Sequence, residues 1–259
     1  MTHNHMTSTT AILAAGDFPT HPAPLAALAG AEHVVCCDSA ARRLLDYGRE
    51  PDAVVGDMDS LSPELRQHLG KRIHQVDEQD DNDLAKAFRF ALSQGWRDIV
   101  ILGATGKRED HTLGNIAWLA DFAPLADSVA MVTDNGVFRA YLPPMARFHV
   151  VSGTQVSIFG FDPLDPITGT GLKFPVKELR LARWWTAALN EAVADEVTLS
   201  FATGPILVFT THIQAVCDTI VSCCLQHGGP RRGLPESANK ENCNGHHTDG
   251  NQLLRTELR

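Results

Sequence analysis

The stretch VVGDMDSL at residues 54–61 runs two β-branched apolar residues into Gly56, then sets Asp57 and Asp59 two apart with only Met58 between them. Carboxylates this close repel, and a cation, a proton or solvent must relieve them. A lone Asp-x-Asp is also ordinary turn chemistry, so its meaning depends on what else the chain brings near. DEQDDNDLAKAF at 77–88 supplies five acidic residues in seven positions: Asp77, Glu78, Asp80, Asp81 and Asp83. Leu84, Phe88 and Leu92 recur at helical spacing. That predicts a helix starting near Asp80, with Asp80 as its N-cap and Asp80 and Asp83 flanking its first turn. A cap and the helix dipole account for one or two acids, not five. An EF-hand is excluded, because its turn glycine would fall on Asn82 and its last ligand on Phe88.

The third stretch, ILGATGKREDHTLGN at 101–115, places an apolar run, a glycine loop and a helix start in the order of a phosphate cradle. It is not a P-loop, since only Ala104 and Thr105 separate Gly103 from Gly106. Lys107 and Arg108 put positive charge where an anion would sit. Asp110 is the expected N-cap, and His111 and Asn115, four apart, share a helix face. Carboxylates suit Mg²⁺, while basic groups with amide donors suit polyphosphate. Together the three stretches point to Mg²⁺-dependent nucleotide chemistry, with Asp57 and Asp59 holding the cation.

These residues need a scaffold that gathers them. Residues 11–16, 33–37, 53–56, 72–76, 98–103 and 128–133 read as apolar strands. Segments with apolar spacing near 3.6 lie between them: SAARRLLDYG, SPELRQHLG, DLAKAFRFALSQG and DHTLGNIAWLADF. Such alternation predicts a mostly parallel, doubly wound α/β sheet, which carries its chemistry at the carboxyl ends of its strands. After residue 142 the pattern changes. FHVVSGTQVSIFGF at 148–161 and EVTLSFATGPILVF at 196–209 alternate with period two. The expected organisation is an α/β nucleotide-binding domain over 1–142, a small all-β domain over 143–210 with its boundary near Pro143 and Pro144, and a tail over 211–259.

The 259 residues are 44% hydrophobic and carry a net charge of -9. That charge argues against a general nucleic-acid surface. No run approaches the roughly 18 apolar residues of a membrane span. The first basic residue is Arg42, so no positive leader region precedes an apolar one; the chain is read as cytoplasmic. From Thr211 onward five basic residues balance five acidic ones and no aromatic occurs, so residues 227–259 are expected to be disordered. Cys217, Cys223, Cys224 and Cys243 there lack C-x-x-C spacing and read as incidental thiols, while Cys36 and Cys37 read as small core residues.

CDSAARRLLDYGREPDAVVGDMDSL, DEQDDNDLAKAF and LGATGKREDHTLGN resemble, in order, the three signature regions of thiamine pyrophosphokinases, with similarity over about residues 11–209. The resemblance implies an α/β catalytic domain and a β-sandwich domain, a homodimer binding thiamine between subunits, and transfer of the β,γ-pyrophosphoryl group of ATP to the thiamine hydroxyl with release of AMP. By position, Asp57, Asp59, Asp80 and Asp83 match the acidic residues associated with Mg²⁺-ATP, with Asp57, Asp59 and Asp83 as metal ligands. Gln79, Asn82 and Lys86 match neighbouring nucleotide-site positions, Asn82 standing for a more usual Thr. Arg108 and Asp110 match the Arg-x-Asp signature, with His111 and Asn115 on its helix. Asp38 begins Asp-Ser-Ala-Ala where the family has Asp-Gly-Gly-Ala, which restricts backbone approach. In LNEAVADEVTLSF, Asn190 matches a thiamine-contacting position and Leu189 replaces a Ser. Trp184 or Trp185 would offer thiamine's cationic ring an aromatic face. Nothing in the family matches residues 211–259. The residues alone also admit a pyrophosphokinase for another hydroxymethyl heterocycle, such as a pterin, or a non-catalytic nucleotide or metal sensor.

Overall fold

The computed structural model describes residues 9–78, 80–162 and 165–212. Strands β1 (Thr9–Leu13), β2 (His33–Cys37), β3 (Ala53–Gly56), β4 (Ile73–Gln75), β5 (Asp98–Leu102) and β6 (Ser128–Val132) pair in parallel in the order β6-β5-β1-β2-β3-β4. Their unbroken apolar runs follow from burial on both faces. Ile12, Val35, Val55, Ile99 and Ile101 point into one core, while Ala11, Leu13, Val34, Val54, Val100 and Leu102 point into the other. Helices α4 (Asp83–Ser93) and α5 (Glu109–Phe122) cover the first face through Leu84, Phe88, Ala91, Leu119 and Phe122. Helices α1 (Pro22–Gly30), α2 (Ala40–Asp46) and α3 (Pro63–Leu69) cover the second through Leu28, Ala40, Leu44 and Leu69.

The sheet does not stop at β6. Strand β7 (Gly136–Tyr141) joins it antiparallel and is followed by β14 (Ile206–Thr211), β9 (Gln155–Gly160) and β12 (Ala187–Glu191), making ten strands. A second sheet of β11 (Val176–Arg180), β10 (Pro166–Thr170), β13 (Glu196–Ser200) and β8 (Met145–His149) packs over this antiparallel part. Their shared core contains Ala146, Val156, Ile158, Ile167, Val197, Leu199, Ile206 and Val208. The architecture is thus an α/β sheet followed by a β-sandwich, with one sheet running through both. Pro143 and Pro144 sit in the β7–β8 turn, inside the antiparallel part.

Two local expectations are corrected, and one helix is added. Helix α4 begins at Asp83, not near Asp80, because the Asn82 side chain accepts the Ala85 N–H at 3.0 Å and takes the cap. Asp110 lies within the first turn of α5, whose N-cap position is Arg108 and carries no side-chain cap bond. Helix α1 was not expected at all; Pro22 and Pro24 occupy its first turn, where a missing N–H costs nothing. Gln79 and the tail residues from 213 onward, with Cys217, Cys223, Cys224 and Cys243, lie outside the described residues. Cys36 and Cys37 are buried core thiols, and burial raises the pKa of both.

Phe88 joins the two helices that bear the candidate residues: fully buried on α4, it stacks on Phe122 of α5 at 3.8 Å between centroids. Phe88→Ala should therefore destabilise the fold by about 3–5 kcal/mol, read as a lowered denaturant midpoint at unchanged slope. A loss below about 1 kcal/mol would mean that α4 and α5 are held by contacts other than this stack.

Candidate active site

Strand order reverses between β1 and β5: from β1 the chain winds one way through β2, β3 and β4, then returns to add β5 and β6 on the other side. Crevices at such switch points, outside the strand carboxyl ends, are where open α/β sheets bind ligands. A cleft of about 490 Å³ lies there. Its lining comes from the loop after β1 (Ala14, Ala15, Gly16), from Asp57 after β3, from Asp81, Asn82, Asp83 and Lys86 around the start of α4, and from Gly106, Lys107, Arg108, His111 and Asn115 around the start of α5.

One wall is acidic. Gly56 ends β3 where a side chain has no room: a Cβ there would stand 3.0 Å from the Asp38 Cβ and 3.4 Å from the Asp83 carboxyl carbon. The bare glycine lets residues from the ends of β2, β3 and α4 crowd together. Burial raises the pKa of Asp83, and the charges of Asp57 and Asp38 push it further in the same direction. Lys86 opposes them; its buried ammonium lies 3.4 Å from Asp83 Oδ1. Asp38 is itself buried. Its Oδ2 accepts both the N–H and the hydroxyl of Ser60, while its Oδ1 has no hydrogen-bond partner among the described residues. Asp57 Oδ1 accepts the Asp59 N–H at 3.1 Å, an Asx turn that leaves Asp59 exposed.

A chain of amides ties this wall to the opposite loop. Asn82 Nδ2 donates to Asn115 Oδ1 at 2.9 Å, and Asn115 Nδ2 donates to the Ala104 carbonyl at 2.8 Å. A Thr at position 82 could cap α4, but its one hydroxyl oxygen would have to serve as acceptor and donor together, where the amide uses two separate atoms. The opposite lip is cationic. Arg108 Nε donates to Asp110 Oδ1 at 3.0 Å, and this pairing holds the Asp110 carboxyl down to about 2. Asp110 is consequently a carboxylate throughout the neutral range.

The cleft brings together Asp57, Asn82, Asp83, Lys86, Arg108, His111 and Asn115, but Asp59, Asp80 and Asp110 are not among its lining residues. The surplus of acids in 77–83 has partly another purpose, since Arg89 pairs with both Glu78 and Asp81. The loop after β1 escaped sequence reasoning. Its signal was Ala14-Ala15-Gly16 directly following an apolar strand, and the spacing of Gly16 is demanding: a Cβ there would lie 2.3 Å from the Thr105 carbonyl oxygen.

Among the described residues no three His, Cys, Asp or Glu side chains form a ready cation cage. Mg²⁺ does not require one, because it is commonly held by one or two carboxylates together with waters and substrate phosphates. Asp38 Oδ1 has no partner among the described residues, and Asp57 and Asp38 add their charges to Asp83 in a partly buried wall, so the donor set fits such an ion.

Asn190, Trp184 and Trp185 lie elsewhere, on the antiparallel part. Asn190 is buried and spends its amide internally: Oδ1 accepts the Phe174 N–H at 3.0 Å and Nδ2 donates to the Phe174 carbonyl at 2.9 Å. Trp184 and Trp185 are 50% and 67% exposed, with the Arg183 guanidinium 5.6 Å from the Trp185 ring centre. Leu189, at φ 60 beside a bulge in β12, is 75% exposed.

Residues 26–133 match the family description "Thiamin pyrophosphokinase, catalytic domain" and residues 136–209 match "Thiamin pyrophosphokinase, substrate-binding domain". The chain is 27% identical over 175 residues to thiamine pyrophosphokinase of Bacillus subtilis (strain 168), covering 64% of this chain and 80% of that protein. It is 34% identical over 196 residues to thiamine pyrophosphokinase 3 of Oryza sativa subsp. japonica, covering 64% and 72%. The crystal structure of the Bacillus subtilis thiamine pyrophosphokinase superposes with a TM-score of 0.66 at 26% identity, over 78% of this chain and 98% of that one. Thiamin pyrophosphokinase from Candida albicans, at 16% identity and a TM-score of 0.65 over 79% and 90% of the two chains, shares the fold. The chain belongs to the thiamine pyrophosphokinase family.

Proposed function

We propose that this chain transfers the β,γ-pyrophosphoryl group of ATP to the hydroxyl of thiamine, giving thiamine diphosphate and AMP. The observation that carries the reading is the two-signed cleft at the switch point, with carboxylates on one wall and Lys107 and Arg108 on the other. A polyphosphate is a ligand for which both walls are useful. Asp57, Asp59 and Asp83 are the residues that would hold Mg²⁺, with Asp80 and Asp38 adding to the same negative field. When bound, that ion neutralises charge on the phosphates. Lys86 and Arg108 neutralise charge from the protein side. Asn82 and Asn115 fix the start of α4 against the Ala104 loop, and His111 faces the cleft from the same turn of α5 as Arg108. The alcohol oxygen forms a bond to the β-phosphorus, the bond from that phosphorus to the α–β bridging oxygen breaks, and AMP departs with the bridge; the hydroxyl proton passes to a base or to solvent. Positioning and charge neutralisation supply most of the acceleration in such transfers.

Thiamine is assigned to the exposed aromatic face at Trp184 and Trp185, and the active unit to a homodimer. Support comes from the sheet itself. Strand β12, next to this face in sequence, is the outer edge of the ten-stranded sheet, five to six strand spacings from the β1–β5 cleft. At about 4.8 Å per spacing that is roughly 25 Å, far beyond the roughly 3–3.5 Å at which reacting atoms must meet. A second copy would bring one chain's aromatic face to the other's cleft. The reading places the enzyme in the cytoplasm, where ATP is available; no helix among the described residues is long and apolar enough to cross a membrane.

Asp57→Asn removes one charged ligand while keeping shape. Turnover, followed as thiamine-dependent AMP release, should drop about 10²-fold or more with the melting temperature unchanged; near-normal release at saturating Mg²⁺ would remove Asp57 from the site. The aromatic face and Asn190 should separate in kind. Trp185→Ala should raise the KM for thiamine several-fold without moving that for ATP, whereas Asn190→Ala should chiefly destabilise the fold, by about 1–3 kcal/mol, by stranding the Phe174 backbone. Equal effects of Trp185→Ala on both substrates would refute the thiamine assignment. Light scattering at assay concentration should give twice the chain mass, and an active monomer would refute the dimer.

A further inference from the structure

Lys107 holds a left-handed backbone at φ 56, a conformation unfavourable for a lysine, and sits at the lip of the cleft. Its Nζ donates to the Ala15 carbonyl at 2.6 Å. From α2, Arg43 donates through Nη1 to the next carbonyl, that of Gly16. Two cations therefore rest on adjacent carbonyls of one loop. The loop hardly needs them, because its backbone is already tied to the neighbouring one: Ala14 N–H to the Leu102 carbonyl at 2.8 Å, Gly16 N–H to that of Gly103 at 2.7 Å and Asp17 N–H to that of Thr105 at 2.8 Å. Nor do the cations suit each other. Burial lowers the Lys107 pKa, Arg43 lowers it further, and Asp17 offsets this only in part. The Asp17 side chain packs against Gly106, where a Cβ would stand 2.1 Å from its Oδ2. One carboxylate does not balance two cations, and the cleft they border is open to a further anion.

Resting on the function proposed above, we propose that Lys107 is a second phosphate-binding residue. Its ammonium leaves the Ala15 carbonyl for the terminal phosphates of the nucleotide, while Arg43, behind it, positions the Ala15–Gly16 loop as the wall of the site. A neutral carbonyl is a weaker partner for an ammonium than a phosphate oxygen, so the exchange is favourable once the polyphosphate arrives. Lys107 thus adds positive charge on the wall facing Asp57 and Asp83, where Arg108 is already paired with Asp110.

The test separates a phosphate contact from a loop clamp. Lys107→Gly, Lys107→Met and Lys107→Arg would be titrated calorimetrically, in Mg²⁺, with α,β-methylene-ATP, which cannot transfer its pyrophosphoryl group, and with AMP, which lacks the terminal phosphates. Lys107→Gly and Lys107→Met should bind α,β-methylene-ATP about tenfold more weakly or worse and AMP as the parent chain does, with Lys107→Arg close to parental. Because glycine accepts the left-handed backbone freely, Lys107→Gly should melt no lower than the parent. Parental affinity of Lys107→Gly for α,β-methylene-ATP would overturn the proposal. So would equal weakening of both nucleotides accompanied by a lower melting temperature, which is the signature of a clamp. AMP release by the parent chain, measured with and without thiamine, reports separately on the reaction: a parent that binds the analogue but releases no AMP refutes that reading and leaves the Lys107 result standing on its own.

Discussion

Carboxylates held near one another in a partly buried wall raise each other's free energy, and something positive must answer them. Here the crowding is built into the backbone at Gly56, the one residue type that lets the ends of β2, β3 and α4 approach so closely. Lys86, buried beneath Asp83, answers part of the charge from inside the protein. Asp57 and Asp38 still push the Asp83 pKa up on top of its burial, and one Asp38 oxygen has no partner among the described residues. The parallel sheet makes this possible, because it points every strand end the same way and so collects residues distant in sequence on one edge. The hydrophobic cores on both faces hold that edge against its own repulsion.

The other wall follows a different logic. Its loops after β1 and β5 are laced together by backbone hydrogen bonds through glycines that tolerate no side chain, so the cationic lip is fixed by main-chain geometry. Side-chain amides then join the two walls, from Asn82 through Asn115 to the Ala104 carbonyl. A rigid, oppositely charged pair of walls is suited to phosphoryl chemistry, in which there is little covalent work for the protein beyond positioning and neutralising charge.

The sequence made the parallel half legible because burial on both faces writes itself as unbroken apolar runs, and 33–37 and 53–56 match the observed strands residue for residue. Helix starts were harder. Asp80 is a good N-cap by residue type, and only the Asn82 bond to the Ala85 N–H shows that the cap lies two residues later. The antiparallel half was only partly readable. Its strands are mostly five or six residues long and half exposed, so β10, β11 and β12 carry weak alternation, and β7 hides behind the Asp134-Asn135 turn that reverses it from β6. Asn190 shows the limit for sites. Its resemblance to a thiamine-contacting position gives it a ligand role, yet the Phe174 backbone takes its Oδ1 and one N–H of its Nδ2. Nothing local in the sequence announces such a claim.

The continuous sheet also limits how the two halves can cooperate. Because β7 extends the parallel sheet edge to edge, the sandwich grows sideways, away from the switch point, and each added strand moves its outermost face farther from the cleft. A cleft on rigid parallel strand ends and an aromatic face beside a bulged edge strand therefore cannot meet within one chain by side-chain motion. Edge strands with exposed apolar neighbours are usually covered. Phe174, Trp184, Trp185 and Leu189 are all left uncovered beside β12. The same extension that separates the two surfaces within a chain leaves the aromatic one exposed, and that separation is the physical ground of the homodimer proposed above.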